Sequence, residues 1–214
     1  MFIALGANSM AIKLGRRSFE GGALLQEELI AVGRELYERG LQTTRSGNIS
    51  VCEGAMFFIT GTGTNLGRLK RSDLVAVDLR DSAPIPPGAS RETPVHKAIY
   101  NATAARAIVH AHPPYAIALA QVAKQQGIMP IHNEGAAGLQ WVPIIDSSVR
   151  GKEAGEDPTA IVAELVRWCS VVIRNHGAFA VGPNLDEAAY KMMLLEDVCK
   201  IACILQSLDP ANAT

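Results

Sequence analysis

His110 and His112 stand one residue apart in the stretch Arg106-Ala107-Ile108-Val109-His110-Ala111-His112-Pro113-Pro114. Side chains of an extended strand alternate between faces, so both imidazoles project from one face while Val109 and Ala111 point to the other. Imidazole is a common ligand of divalent metals, and two at this spacing make a two-pronged grip. Pro113 and Pro114 offer no ladder donor and end the strand, leaving the pair beside a loop. The same spacing also arises as two hydrogen-bonded histidines near a sheet edge, so the pair alone decides nothing.

A third imidazole, His176, lies in Asn175-His176-Gly177 between two apolar segments. A strand-turn-strand corner aims a side chain out of the sheet, and glycine permits a close backbone approach. Three imidazoles leave a coordination position open, which is the pattern of a catalytic zinc site rather than a closed structural one. Asn-His-Gly is also an ordinary turn. His96 and His132 are weaker candidates: His96 follows Glu92 by four residues on a predicted helix, the spacing of a common surface pair. Glu92 itself sits at a helix start, where a carboxylate usually offsets the dipole. Near a metal it could act as general acid and base, or fill the open position at rest. Ser46-Gly47-Asn48 and Thr60-Gly61-Thr62-Gly63 offer backbone N–H groups and hydroxyls without bulk, a composition that suits phosphate or a plain turn. No Gly-Lys-Ser/Thr follows either of them. Arg91, beside Ser90, could add a fixed positive charge.

The elements that must position these groups alternate along the chain. The apolar stripe Leu25, Leu29, Val32 and Leu36 predicts a helix over 18–40, with Gly40 at its end. A strand over 43–52 and another over 55–60 form a hairpin, and a further strand covers 73–79. Ser90 is expected to cap a helix running to about Tyr100. The His-x-His strand spans 105–112, and a helix opens at Pro113-Pro114 and stops at Gly127. Met129 to Asp146 reads as short strands broken by Gly135 and Gly138. Asp157-Pro158 starts a helix to about Cys169, strands cover 170–174 and 178–181, and Asn184 with Glu187 forms a capping box that launches a helix to about Leu208. Several strand connections are too short for a parallel crossover. The fold class is therefore α/β, in three αβα layers, with a mostly antiparallel, mixed central sheet covered by helices on both faces.

The chain's 214 residues suffice for one domain with a core needing no disulfide, assigned to 18–214 after a partly ordered leader over 1–17. Twenty Lys and Arg against 21 Asp and Glu, with no long basic run, argue against nucleic acid as a partner. No apolar run is long enough to span a membrane. Cys52, Cys169, Cys199 and Cys203 form no CxxC pair and read as buried thiols, so the expected location is the cytoplasm.

Taken together, Ser46-Gly47-Asn48-Ile49-Ser50, Ile59-Thr60-Gly61-Thr62-Gly63, Ser90-Arg91-Glu92, Val109-His110-Ala111-His112 and Asn175-His176-Gly177 resemble, in order, the motifs of the class II aldolase/adducin family. The resemblance implies a homotetramer with active sites between subunits and a small-molecule sugar phosphate as substrate. By residue match, His110, His112 and His176 hold Zn²⁺, or another divalent ion such as Mn²⁺ or Co²⁺, and Glu92 is the catalytic acid and base. Asn48, Thr62, Gly63, Ser90 and Arg91 fall on phosphate-binding positions. The implied reaction cleaves a ketose 1-phosphate to dihydroxyacetone phosphate and an aldehyde through a metal-bound enediolate. Epimerase, dehydratase, decarboxylase and non-catalytic adducin-like members are the alternatives. Two departures bear on the substrate. Family aldolases commonly carry a second serine where this chain has Arg91. A tyrosine expected after an Ile-His pair is replaced here, since Ile131-His132 precedes Asn133-Glu134. Asn133 and Glu134 become candidate contacts for the far end of a substrate such as L-fuculose 1-phosphate or a 5-deoxy or 5-methylthio pentulose 1-phosphate.

Overall fold

The computed structural model describes residues 22–80, 82–148 and 156–208, so the expected leader over 1–17 lies outside the described residues. The chain opens with α1 (Gly22–Glu38), whose Leu29, Val32 and Leu36 are buried as the stripe requires. Strands β1 (Asn48–Glu53) and β2 (Met56–Thr60) form the expected hairpin, and β3 (Leu74–Asp78) adds to it. Then follow α2 (Thr93–Ala102), β4 (Ala107–Ala111), α3 (Pro114–Val122), β5 (Gly127–Ile128), α4 (Asn133–Leu139) and β6 (Val142–Ile145). The remaining elements are α5 (Pro158–Leu165), β7 (Ser170–Ile173), β8 (Gly177–Gly182) and α6 (Leu185–Leu208).

The eight strands make one sheet in the order β3-β2-β1-β4-β8-β7-β6-β5. Only β6 and β7 pair in parallel, and every other pairing is antiparallel. Two cores follow from period-2 alternation. Val109, Ala111, Ala178 and Ala180 face a cluster under α1, α3, α4 and α6. Ile108, Phe179, Cys52 and Phe57 face a second cluster under α2 and α5. The sheet is therefore the middle of three layers, as its connections predicted.

Three local expectations need correction. Met129 to Asp146 contains a helix, α4, where glycines suggested broken strands. A Cβ on Gly135 would stand 2.6 Å from Val198, and one on Gly138 2.4 Å from Leu194, so these glycines admit α4 close against α6 rather than breaking it. Gly127 begins β5 instead of ending α3, which stops at Val122. A Cβ there would stand 2.1 Å from the Trp141 ring. Ser90 does not cap α2. Pro94 stands in the first turn and Glu92 takes the cap position, while the Ser90 hydroxyl accepts from the Glu92 N–H at 3.2 Å in the preceding turn. Asn184 does cap α6, accepting from the Glu187 N–H at 2.8 Å.

His96, whose spacing from Glu92 suits a surface or a packing contact, is fully buried on α2. Its Nδ1 lies 2.7 Å from the Ser50 hydroxyl, which lies 2.6 Å from the Tyr100 hydroxyl. Burial strips water from the imidazolium form and lowers the His96 pKa to about 3 from 6.5. Between those values the unfolded chain binds more protons than the fold, so stability falls as pH drops through that window. Relative to the wild type, His96→Leu is expected to lose about 3 kcal/mol less stability between roughly pH 7 and pH 4 in urea unfolding. Equal losses in the two proteins would contradict a buried neutral His96.

Candidate metal and phosphate site

The antiparallel pairing of β4 with β8 sets the site. Register matches His110 to Phe179 and Ala111 to Ala178, and β1 pairs on the other side with Asn48 opposite His110. His110 stacks on the Phe179 ring at 4.3 Å between centroids and 19° between planes. Its Nδ1 donates to the Ala178 carbonyl at 3.0 Å, which leaves Nε2 as the lone-pair nitrogen. His112, just past the strand, anchors its backbone N–H on the Leu41 carbonyl. His176 arrives from the tight corner between β7 and β8, where Asn175 adopts a left-handed φ of 61°. Asparagine tolerates that conformation, so no glycine is needed at the turn itself.

Gly177, next along, is required by crowding. A Cβ there would stand 2.3 Å from the Ala111 carbonyl oxygen and 3.0 Å from the His112 ring. The absent side chain lets the His176 corner close over the end of β4. The three rings meet with centroids 4.9 to 5.2 Å apart. One ring nitrogen from each lies within 4.8 Å of the others. The Nε2 atoms of His110 and His112 are 3.3 Å apart.

Burial favours the neutral form at two of these imidazoles, His110 and His112. Desolvation, with the neighbouring His112 and His176 next, holds His110 well below the usual histidine range. Desolvation and then His176 bring His112 down to about 4. Neutral imidazoles converging with bare nitrogens are the donor set a divalent cation such as zinc takes, and the residues fit such an ion.

Glu92 lies in the same cavity as the three histidines, which encloses about 160 Å³. It is 8% exposed. Desolvation raises its pKa, against the lowering effects of the Glu156 backbone N–H and the nearby His176. The carboxyl Oε2 accepts that Glu156 N–H at 3.3 Å. Asn48, Thr62, Gly63, Ser90 and Arg91 all line the cavity too, so the five positions matched to phosphate binding do converge. Thr62 is partly committed: its N–H and its hydroxyl donate to the carbonyls of Gly88 and Ala89 at 2.9 and 2.7 Å, tying the two loops together. Among the described residues the buried Asn48 Oδ1 has no hydrogen-bond partner.

Asn133 and Glu134 are not brought to this cavity. They open α4, exposed to solvent, where Glu134 accepts from the Tyr190 hydroxyl at 3.3 Å. Nor does His132 join the histidine cluster, and His96 lies beneath it in the core. Two residues escaped the sequence reading. Arg45 lines the cavity and was hidden in a polar turn. Glu156, which accepts from His176 Nδ1 at 2.7 Å, stood among Glu153, Glu156 and Asp157 with no periodicity to single it out. A larger cleft, about 530 Å³ beside the ends of α2 and α5, gathers no histidine or carboxylate.

Comparison with known proteins agrees with this geometry. Residues 27–203 match the family described as Class II Aldolase and Adducin N-terminal domain. The chain is 34% identical over 199 residues to a probable bifunctional methylthioribose-1-phosphate isomerase/methylthioribulose-1-phosphate dehydratase of Nocardia farcinica, covering 81% of this chain and 34% of that protein. The chain thus spans about a third of the length of that relative. An L-fuculose phosphate aldolase of Methanococcus maripaludis is 28% identical, with 85% of this chain and 97% of that one covered. The crystal structure of L-fuculose-1-phosphate aldolase from Thermus thermophilus superposes with a TM-score of 0.80 at 34% identity, covering 88% and 98% of the two chains.

Because Gly177 sits against backbone rather than a movable side chain, Gly177→Ala is expected to lower the unfolding free energy by roughly 1–3 kcal/mol in chemical denaturation. A variant as stable as the wild type would show that β4 and β8 do not close so tightly at this end.

Proposed function

The chain belongs to the class II aldolase and adducin family, and from that membership we propose that it is a divalent-metal-dependent lyase that cleaves a ketose 1-phosphate to dihydroxyacetone phosphate and an aldehyde. The observation that carries this reading is the convergence of three imidazoles, a buried carboxyl with raised pKa and a glycine-hydroxyl loop pair in one cavity.

Each group has a part the chemistry needs. His110, His112 and His176 hold the ion, for which zinc suits three imidazoles best, with Mn²⁺ or Co²⁺ as alternatives. The ion, when bound, polarises the substrate's carbonyl and adjacent hydroxyl as a Lewis acid. The Gly47 and Gly63 loops, with Asn48, Thr62 and Ser90, bind the phosphate, and the guanidinium groups of Arg45 and Arg91 balance its charge. Anchoring the phosphate fixes the C3–C4 bond relative to Glu92, and such orientation contributes up to ~7–11 kcal/mol in favourable systems. As that bond breaks the C4 hydroxyl gives up its proton to solvent and becomes the aldehyde, while Glu92, protonated more readily than a solvated carboxyl, delivers a proton to the released C3; both transfers run backwards in the reverse direction.

A cavity of about 160 Å³ holds the phosphate and chelating end of such a substrate, and the far end extends beyond it. A homotetramer with sites between subunits would bring Asn133 and Glu134 of a neighbour toward that far end. Val122, Met129, Ile131, Leu205 and Leu208 are exposed apolar side chains consistent with burial on assembly. Among the described residues no helix is long and apolar enough to cross a membrane, and a cytoplasmic enzyme is the proposed setting.

A second reading, dehydration of a 5-methylthio pentulose 1-phosphate, draws on the dehydratase activity named for the Nocardia relative and on Asn133-Glu134 standing where aldolases carry tyrosine. The same cavity would bind phosphate and carbonyl alike, and only the bond broken would differ.

Glu92→Gln is expected to keep one divalent ion per chain by elemental analysis while turnover falls about 10²–10⁴-fold. A fully active variant would contradict the role assigned to Glu92. Zinc-loaded protein assayed against a panel of ketose 1-phosphates is expected to release dihydroxyacetone phosphate. Loss of water without that release from 5-methylthioribulose 1-phosphate would transfer the assignment to the dehydratase.

A further inference from the structure

We infer that Glu156 is a positioning residue of the metal centre, fixing the ring of His176 through its carboxylate and the carboxyl of Glu92 through its backbone N–H. This rests on the reading of the three histidines as a metal site and adds a residue outside the motifs that carry that reading.

The geometry is a completed set of acceptors. Oε1 of Glu156 receives the Ser147 hydroxyl and His176 Nδ1, both at 2.7 Å. Oε2 receives the Ser148 N–H at 2.7 Å and the Ser148 hydroxyl at 2.5 Å. Two bonds to each oxygen use the acceptor sites of an ionised carboxylate, and the side chain is only 2% exposed. A buried charge is costly unless so compensated.

An acceptor with no proton to give requires His176 Nδ1 to be the donor. The proton in that bond is therefore on Nδ1, which leaves Nε2 as the ring nitrogen available to a metal. A carboxylate behind a ligating imidazole also makes the ring a stronger donor and restricts its rotation. The three imidazoles are supported differently: His110 has a backbone carbonyl behind it, whereas His176 has a charge. His176 is also the imidazole on a turn rather than on or beside the central strand, where rotation needs the most restraint.

The same residue reaches the reacting carboxyl. The Glu156 N–H donates to Glu92 Oε2 at 3.3 Å, so the chain entering α5 links the third ligand to the proposed acid and base. Asp157, the next residue, caps α5 by accepting the Thr159 N–H at 2.9 Å and fixes where Glu156 sits. Sequence places Glu156 sixty-four residues from Glu92 and twenty from His176, and only the fold joins them.

The test is zinc affinity, read by competition with a chromophoric chelator, independent of any substrate. Glu156→Gln is expected to weaken zinc binding about 10-fold and Glu156→Ala about 100-fold, the range typical for loss of a carboxylate behind a ligating histidine. Because Gln and Ala could disturb the serine loop, Glu156→Gln is also made in a His176→Ala background. If Glu156 acts through His176, the substitution there changes zinc affinity less than two-fold. An equal loss in both backgrounds would make Glu156 a merely structural residue and overturn the inference, as would unchanged affinity in the single variants. Failure of the wild type to bind zinc would instead refute the metal-site reading itself.

Discussion

The three-histidine cluster of this protein depends on the antiparallel register of β4 against β8. That pairing sets His110 on Phe179 and gives His110 Nδ1 the Ala178 carbonyl. At the end of the same ladder Gly177 passes so close to Ala111 that no side chain fits, and the turn it follows swings His176 over the pair. A one-residue slip would turn His110 into the other core and dissolve the cluster. The sheet on which they meet is otherwise ordinary, apolar on both faces and covered by helices.

Desolvation then gives the cluster its chemistry. Withdrawing imidazoles from water favours their neutral form, which is the form that ligates. The same withdrawal favours the protonated form of Glu92, which is the form that can deliver a proton. Burial thus prepares a base to bind a cation and an acid to act beside it. Glu156 is the counterpoint: equally buried, it stays ionised because four donors surround it, and its charge faces the back of His176. The carboxyl groups of two residues, linked through the Glu156 backbone N–H, are thereby pushed in opposite directions, a separation of roles that recurs where one group transfers a proton and another holds position.

Much of this was legible in the sequence because it was periodic or carried by short motifs. His-x-His at strand spacing, the Asn-His-Gly corner and the apolar stripe of α1 needed only the geometry of strand and helix. Connection lengths were enough to call for a mostly antiparallel sheet between helical layers. What escaped depended on contacts distant in sequence. Gly135 and Gly138 look like breakers until α6 is seen lying against them. Ser90 looks like a cap until Pro94 shifts the helix start. Glu156 is one acidic residue among three until the fold sets it behind His176, and His96 resembles a surface residue until Ser50 and Tyr100 are found beside it in the core. Asn133 and Glu134 were legible as a departure from the aldolase pattern, yet within one chain they lie apart from the cavity.

The most direct test of the central claim is X-ray absorption at the zinc edge on the protein reconstituted with one equivalent of zinc. Three imidazole nitrogens at about 2.0–2.1 Å, with the remaining coordination from oxygen donors, is the result this structure requires. Sulfur neighbours at ~2.3 Å, which would put the ion on cysteine, or zinc bound with fewer than three imidazoles, would contradict a catalytic metal centre built from His110, His112 and His176.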